Sequence, residues 1–225
     1  MIKRFTQALV VLSALALCVP ARAVELQRPG APEVWPGKWM FGLHPFGFQA
    51  AFDPYSTGGY KLDIDIGYRV KELSKISVWV GAMFSYTFPL YTCANNQNGR
   101  GGDLAGCAHD PAFLLFVRLT FEKLVQKLPL VPYVELGLGA DILIYGAHFG
   151  TSGTNLGFGV PLRLGGGVHY WLTKHFGIGA ETHFNFGPGI YPTIGGEVIN
   201  CGPGNSTCVS FYGYWDFLLG VRASF

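Results

Sequence analysis

Apolar and polar residues alternate with a period of two along most of this chain. In the last twelve residues, YWDFLLGVRASF, every second position back from Phe225 is apolar, whereas the positions between include both charges, Asp216 and Arg222. A period of two places the two sets on opposite faces of a β-strand. The segment therefore predicts a strand with one apolar face and one mixed polar face.

Seven further segments alternate in the same way and predict an all-β chain. In the first of them Pro45, which cannot donate to a ladder, interrupts the alternation, so we predict a β-bulge there. The run of three glycines at 165–167 has no helix after it and is interpreted as strand, not as a phosphate loop. The seven segments are WMFGLHPFGFQAAF (39–52), YKLDIDIGYRV (60–70), ISVWVGAMFSYTF (76–88), FLLFVRLTF (113–121), YVELGLGADILIY (133–145), VPLRLGGGVHYWL (160–172) and GIGAETHFNFG (177–187).

The connections between these segments alternate in length. An even number of strands with short turns at one rim and long loops at the other is typical of bacterial outer-membrane barrels. The link 122–131 is intermediate, and the first link, 53–59, is short although it falls in the long series. The short links are 71–75 and 173–175, and the long ones are 89–111, 146–156 and 188–210.

The two faces decide between a membrane barrel and a soluble, lipocalin-like barrel with its apolar face inward. The apolar face is rich in aromatic residues and free of charge in seven of the eight segments, and the other face is rich in glycine with few charges. That apolar face is too bulky for a small barrel interior, and the other is too sparse in charge to be a solvated surface. We therefore predict an eight-stranded antiparallel up-and-down transmembrane β-barrel over residues 39–225, closed because hydrocarbon tolerates no free sheet edge.

The N-terminus has the plan of a secretory signal peptide. Lys3 and Arg4 precede an apolar run over residues 8–19, and the Ala-Arg-Ala sequence at 21–23 predicts cleavage after Ala23. The run is shorter than the ~20 residues of a membrane-spanning helix. Cleavage as a lipoprotein at Cys18 is an alternative. Residues 1–23 are thus predicted to be a signal peptide, and the Pro-rich residues 24–38 an extended periplasmic leader.

Charge gives no indication of a nucleic-acid partner. The chain has 16 basic and 14 acidic residues; the signal peptide contains three basic and no acidic residues, which leaves 13 basic against 14 acidic. Charged residues are 13% of the chain, about half the usual share of a soluble domain. The mature protein is nearly neutral, so we expect no nucleic-acid partner.

Four cysteines remain after the signal peptide, in two close pairs within polar segments. In an oxidising compartment the simplest of the three possible connectivities is Cys93–Cys107 and Cys201–Cys208. A zinc site is the alternative, although the spacing lacks the C-x2-C pattern that such sites favour. We expect two disulfides, each closing one surface loop, and no metal.

The chain resembles the eight-stranded outer-membrane proteins of the OmpA-transmembrane-domain and OmpX type, because a signal peptide precedes it and its last strand ends in Phe225. The resemblance implies a bacterial outer-membrane location, with outer-membrane lipid as surroundings, and we expect the barrel to be a monomer. It also implies that the last strand is a sorting signal for the barrel-assembly machinery, carried by Phe217, Leu219, Val221 and Phe225. Ala223 departs from the family, which often has an aromatic residue there.

Both signs of charge lie on the face predicted to point into the lumen. Buried charges are costly unless paired, so we expect a network that plugs the barrel; a selectivity constriction or a proton-sensitive gate is the alternative. Counted from the short-turn rim, Arg69, Arg118, Glu135, Glu181 and Arg222 are predicted to share one level. The other predicted lumen residues are Lys61, Asp63, Asp65, Asp141, Arg163, His169, His183 and Asp216.

One stretch raises the possibility of an enzyme. ETHFNF places Glu181, His183 and Asn185 on one strand face and is similar to the His-x-Ser-Asn stretch of lipid A deacylases, but the serine nucleophile is missing. We therefore expect no catalysis and no cofactor. The favoured role is structural or surface-interacting through the loops at 89–111 and 188–210, and a narrow pore or small-molecule conduit of the OmpW type is the alternative.

Overall fold

A computed structural model describes residues 37–52, 58–73, 76–89, 109–121, 129–145, 155–192 and 207–225. Within these ranges no helix is long and apolar enough to cross a membrane. The strands are β1 (Trp39–Ala51), β2 (Gly59–Glu72), β3 (Ser77–Pro89), β4 (Asp110–Thr120), β5 (Leu130–Tyr145), β6 (Asn155–Gly159), β7 (Leu162–Trp171), β8 (Phe176–Pro192) and β9 (Thr207–Ser224).

The strands close into a ring. The order β4-β3-β2-β1-β9-β8 continues through β6 and β7 to β5, which pairs back to β4. Both β6 and β7 lie between β5 and β8, so they are two parts of a single wall position. Every pair is antiparallel, and the ring has eight wall positions. The predicted eight-stranded antiparallel barrel is confirmed.

The sixth wall strand differs from its prediction. The sequence predicts one strand over 160–172, whereas the structure has two short strands separated by Val160 and Pro161. Proline has no backbone N–H to donate, and it therefore interrupts the ladder. The adjoining backbone groups remain bonded, because Val160 N donates to Pro188 O and Gly139 N donates to Pro161 O. The wall thus stays closed across the break.

Two β-bulges change which side chains face the lumen. The register of β1 shifts between His44 and Gly47 against β2, and between Leu43 and Phe46 against β9, which confirms the bulge predicted at Pro45. A second shift lies in β2 between Arg69 and Lys71, against β3. The sequence contains no signal for this second bulge.

Burial in this barrel is the reverse of that in a soluble protein. Leu115 is 70% exposed and Phe46 is 65% exposed, both on the outer face, whereas Arg118, Arg163 and Arg222 are fully buried inside. An exposed apolar surface of this extent is stable in hydrocarbon and not in water. The predicted orientation, apolar outward and polar inward, is confirmed, and the wall crosses a membrane.

The ends of β1 and β9 meet at the rim where the short turns lie. Trp39 and Phe225 exchange both of their backbone hydrogen bonds, each at 3.0 Å. The turn between β7 and β8 occupies the same rim and is closed by Leu172 N donating to Phe176 O. This edge is called the short-turn rim below.

The hairpin of β8 and β9 is longer than the alternation predicts. The two strands stay paired from Phe176↔Ala223 up to Pro192↔Thr207, although the sequence predicts loop over 188–210. Glycine and proline at positions 187–189 hide the alternation there. Backbone pairing in the hairpin continues through them nonetheless.

Several predictions lie outside the described residues. These are the signal peptide, residues 24–36 of the leader, and Cys93, Cys107 and Cys201. Only the backbone of Cys208 is described, opposite Tyr191. Both disulfides and the zinc alternative therefore remain predictions.

Candidate functional site

The lumen contains a cluster of ion pairs nearer the short-turn rim, here named the lower cluster. Arg118 donates to Glu135 Oε2 from Nε and Nη2, at 2.8 and 2.6 Å. Arg222 Nη1 donates to Asp65 Oδ1 at 2.8 Å, and its Nη2 donates to Glu181. Asp65 Oδ1 also accepts a hydrogen bond from Arg118 Nη1 at 3.5 Å, so Asp65 connects the Arg118–Glu135 pair with the Arg222–Glu181 pair.

Histidines and a tyrosine pack around the lower cluster. His44 Nε2 lies 3.0 Å from Glu181 Oε1, and His169 Nε2 lies 3.3 Å from the same oxygen. The ring of Tyr133 stacks on His169, with 4.5 Å between centroids, and lies 4.7 Å from the Arg118 guanidinium carbon. Apolar ring faces thus fill the space that the charged groups leave.

A second group, the upper cluster, lies farther from the short-turn rim and is centred on Lys61. Its Nζ donates to Asp216 Oδ2 and to Gln49 Oε1, both at 2.9 Å. Asn185 Nδ2 donates to the same Asp216 oxygen at 2.7 Å, and Thr87 Oγ1 donates to Gln49 Oε1 at 2.9 Å. The partners come from β1, β2, β3, β8 and β9, so the cluster connects facing walls of the barrel.

Arg163 joins the two clusters. Its guanidinium lies 3.4 Å from Asp63 Oδ2, 3.4 Å from Glu135 Oε1 and 3.8 Å from Asp216 Oδ2. Its Nη2 is also 2.7 Å from His183 Nδ1. One fully buried arginine therefore contacts three carboxylates from three different strands.

Two more carboxylates lie toward the long-loop end of the lumen. Tyr212 and Tyr214 donate to Asp141 Oδ2 at 2.7 and 3.2 Å. Asp110 Oδ2 accepts from Gln49 Nε2 at 3.3 Å. Asp110 was missed by the sequence analysis because the predicted strand begins at 113, although it continues the inward row of β4.

The structure corrects the predicted position of one arginine. Arg69 does not lie with the lower cluster; it pairs at 3.5 Å with Glu72, near the short-turn rim, and lies over the ring of Trp79. His44 was also missed, although it lies before the bulge and shares the inward face of β1 with Met40. The other predicted lumen residues, namely Lys61, Asp63, Asp65, Arg118, Glu135, Asp141, Arg163, His169, Glu181, His183, Asp216 and Arg222, are all buried.

Carboxyl groups outnumber cations among the buried lumen residues. Without Arg69 and with Asp110, the predicted five cations and six carboxylates become four and seven. Some of the polar atoms have no hydrogen-bond partner among the described residues, including Asp110 Oδ1, Asp141 Oδ1 and Asp216 Oδ1. The acid excess is greatest toward the long loops.

The residues considered for catalysis lie within these clusters. Glu181 binds Arg222, Asn185 binds Asp216, and His183 contacts Arg163. All three are buried in the lumen. In the part of the chain that the structure describes, no group of three or more His, Cys, Asp or Glu side chains is arranged to hold a metal ion.

The residues of the predicted assembly signal lie on the outer face of β9. Phe217, Leu219 and Phe225 are 47%, 57% and 65% exposed, and Val221 is half-buried. Phe225 stacks on His175 of the neighbouring turn, with 5.9 Å between the ring centroids. Recognition by the barrel-assembly machinery stays a prediction.

Comparison with known proteins finds solved structures with a similar fold and no related sequence. No protein-family model matches the sequence, and no curated protein matches it. The N-terminal β-barrel domain of Pseudomonas aeruginosa OprF superposes with a TM-score of 0.50 at 14% identity, covering 84% of this chain and 99% of that one. Neisserial surface protein A (NspA) gives 0.47 at 13% identity, covering 83% and 96%. Ail, the attachment invasion locus protein of Yersinia pestis, gives 0.43 at 12% identity, covering 82% and 95%.

Proposed function

We propose that this protein, a bacterial outer-membrane β-barrel of the small OmpA-transmembrane-domain and OmpX type, has a closed lumen and acts in structure or surface interaction through its long loops. The observation that carries the proposal is the continuous set of ion pairs in the lumen, which runs from Arg222 through Arg118 and Arg163 to Lys61. An eight-stranded interior is just wide enough for side chains to fill it. A lumen held by such pairs has little space for a permeant solute.

The length of the β8–β9 hairpin supports a surface role. A tilted strand crosses the bilayer with ~9–11 residues, whereas β8 has 17 and β9 has 18. With the ends near Phe176 and Ser224 fixed at the short-turn rim, the excess length extends beyond the membrane on the other side. The end of the described hairpin, at Pro192 and Thr207, is therefore held away from the lipid, where loops on a rigid scaffold commonly carry recognition.

The positions of the candidate catalytic residues support a non-enzymatic role. Glu181 and His183 are inside the lumen and engaged with arginines, whereas a lipid substrate approaches from the membrane or the rim. A side chain committed to a buried ion pair is poorly placed for proton transfer to a substrate outside.

The closed lumen is tested by single-channel conductance. We expect residues 24–225, refolded and inserted in a planar bilayer, to give no steady openings, because the charged side chains occupy the lumen. Insertion is verified separately by the resistance of the barrel to protease in the same lipid. Reproducible openings from the inserted wild-type protein would contradict the closed lumen.

The acid excess favours one specific form of the alternative function, a cation conduit. The lumen buries seven carboxyl groups and four cations. If more than four of these carboxyl groups are ionised, the interior is net negative, and it attracts cations and repels anions. If steady openings occur, their reversal potential in a salt gradient should show selectivity for cations. That result would replace the closed lumen with transport.

The surface role is tested by shortening the hairpin loop. Replacing residues 194–205 by two glycines together with Cys208→Ser removes the predicted Cys201–Cys208 disulfide without leaving an unpaired thiol. Under reducing conditions, where the wild type also lacks the disulfide, the free energy of unfolding should stay within about 0.5 kcal/mol of the wild type, because loop changes away from packed contacts have small effects. Binding or adhesion that cells gain by producing the wild-type protein should be lost with the shortened variant. The same shortening of 92–108 tests the second loop, and full adhesion by both variants would exclude recognition by the loops.

A further inference from the structure

The outer wall carries two adjoining apolar grooves that extend from the end of β1 across β2, β3 and β4 to β5 and the start of β7. The larger has a volume of about 740 Å³ and the smaller of about 440 Å³. They share three lining residues, Ala82, Leu115 and Leu138. The two grooves therefore form one continuous depression, named the wall groove below.

The wall groove exists because small side chains interrupt rows of large ones. Ala82 lies directly between Ile66 of β2 and Leu115 of β4. Ala140 lies beside Phe113 in the next row. Leu115 is 70% exposed, so it projects beside the shallow surface of Ala82. A methyl group next to such large neighbours leaves a trough on the wall.

The length of the wall groove matches one leaflet of the bilayer. Its lining includes Val80, Ala82 and Phe113, which belong to three successive outward rows two residues apart. Three such rows extend roughly 13 Å along a strand. This is close to half of the ~30 Å hydrocarbon core. A single extended acyl chain of one leaflet has this reach.

A lysine lies on the lipid-facing side below the groove. The bulge in β2 places Lys71 opposite Val78, and directly opposed residues share one face of the sheet. Val80, on the outer face of the same strand, lines the groove. Lys71 thus points outward at the short-turn rim. It is exposed and makes no ion pair with any residue that the structure describes.

Aromatic side chains border the same end of the groove. Trp39 and Tyr68 both line it, and their ring centroids are 4.9 Å apart. Tryptophan and tyrosine at the end of a lipid-facing wall mark the level of the lipid headgroups. Lys71 is three residues beyond Tyr68 toward the short-turn rim, at the depth of a phosphate.

We propose that the wall groove is a binding site for one glycerophospholipid of the periplasmic leaflet. An acyl chain lies along Ala82 between Ile66 and Leu115, and the ammonium of Lys71 binds the headgroup phosphate. Lysine reaches from the wall to the interface because its methylene stem is apolar and its end is charged. This site is on the outside of the barrel and is independent of whether the lumen conducts.

Charge argues against a second copy of the chain as the occupant. Two barrels inserted in the same direction and facing each other across this groove would bring both copies of Lys71 to one level. Like charges at a contact in low dielectric repel each other. A phosphate at that level is attracted instead, and it provides the partner that Lys71 lacks among the described residues.

Native mass spectrometry of the refolded barrel in detergent micelles tests the site. The probes are phosphatidylglycerol and a diacylglycerol with the same two chains and no phosphate. We expect one phosphatidylglycerol to remain bound per barrel. Its affinity should be about fivefold higher than that of the diacylglycerol, because one lysine beside a phosphate contributes about 1 kcal/mol to binding. The variant Lys71→Gln should remove this difference, and Lys174→Gln, in the turn at the same rim, should not.

A second pair of variants tests the groove. Ala82→Phe fills the trough and should weaken retention of both probes about tenfold, because packing against the wall holds the chain. Ala180→Phe, at an outward position of β8 outside the groove, should leave retention unchanged. Equal retention by Ala82→Phe and Ala180→Phe, no effect of Lys71→Gln, or lipid-free dimers of the wild type would each overturn the proposal.

Discussion

Replacing Arg163 by Met is expected to lower the free energy of unfolding by about 3–5 kcal/mol, because removing one partner leaves buried charges without compensation. Arg163 faces Asp63, Glu135 and Asp216 within 3.8 Å, and methionine fills a similar volume with no charge. Urea unfolding in micelles, followed by tryptophan fluorescence, measures the change.

Arg69 provides the matched control. It is an arginine of the same barrel, but its partner Glu72 is 48% exposed at the rim. Water solvates that carboxylate when the arginine is removed, so Arg69→Met should cost roughly 1 kcal/mol or less. Equal losses for the two variants would show that Arg163 stabilises the barrel through packing and not through its ion pairs.

Replacing Gly81 by Ala is expected to destabilise the barrel by about 1–3 kcal/mol, the usual cost of overpacking. A Cβ at this position would meet the ring of Phe116 and the carbonyl oxygen of Ile66 closer than any real Cβ approaches them. Either the aromatic ring or the β2–β3 ladder must shift. The same urea titration measures the loss.

Gly67 is the matched control, because it lies directly opposite Gly81 in the ladder. A Cβ there would be 3.6 Å from the Phe116 ring and 3.8 Å from that of Trp79, which is ordinary contact. Gly67→Ala should therefore be neutral or stabilise the barrel by about 0.4–1 kcal/mol, since alanine reduces the freedom of the unfolded chain. Opposite signs for the two substitutions are the expected result; a loss at Gly67 as large as at Gly81 would contradict the steric explanation.

Most of the wall was predictable from the sequence because the alternation there is strong. In β2, for example, Ile64 and Ile66 point outward and Asp63 and Asp65 point inward, as predicted. The predictions failed where a local feature obscured the period. Pro161 divides the sixth wall strand, and Gly187 and Pro188 hide the continuation of β8.

The candidate site was predictable as a set of inward residues and not as a set of contacts. Arg118 and Glu135 are register partners on neighbouring strands, so their pairing follows once the register is known. Arg222 and Asp65 are 157 residues apart in the chain and meet over Gly42 of β1, because ring closure pairs β9 with β1. Arg69 was misassigned because periodicity places residues on a face but does not tell whether a rim residue reaches the centre.

The sequence by itself determined the number of wall positions, the face of nearly every residue and the membrane environment, because a side-chain period of two needs only the local backbone geometry. Only the tertiary structure decided which charges meet, since ring closure brings distant strands together. It alone also placed Lys71 on the lipid face. A bulge adds one residue to a strand without an obligatory residue type, and the alternation beyond it is inverted.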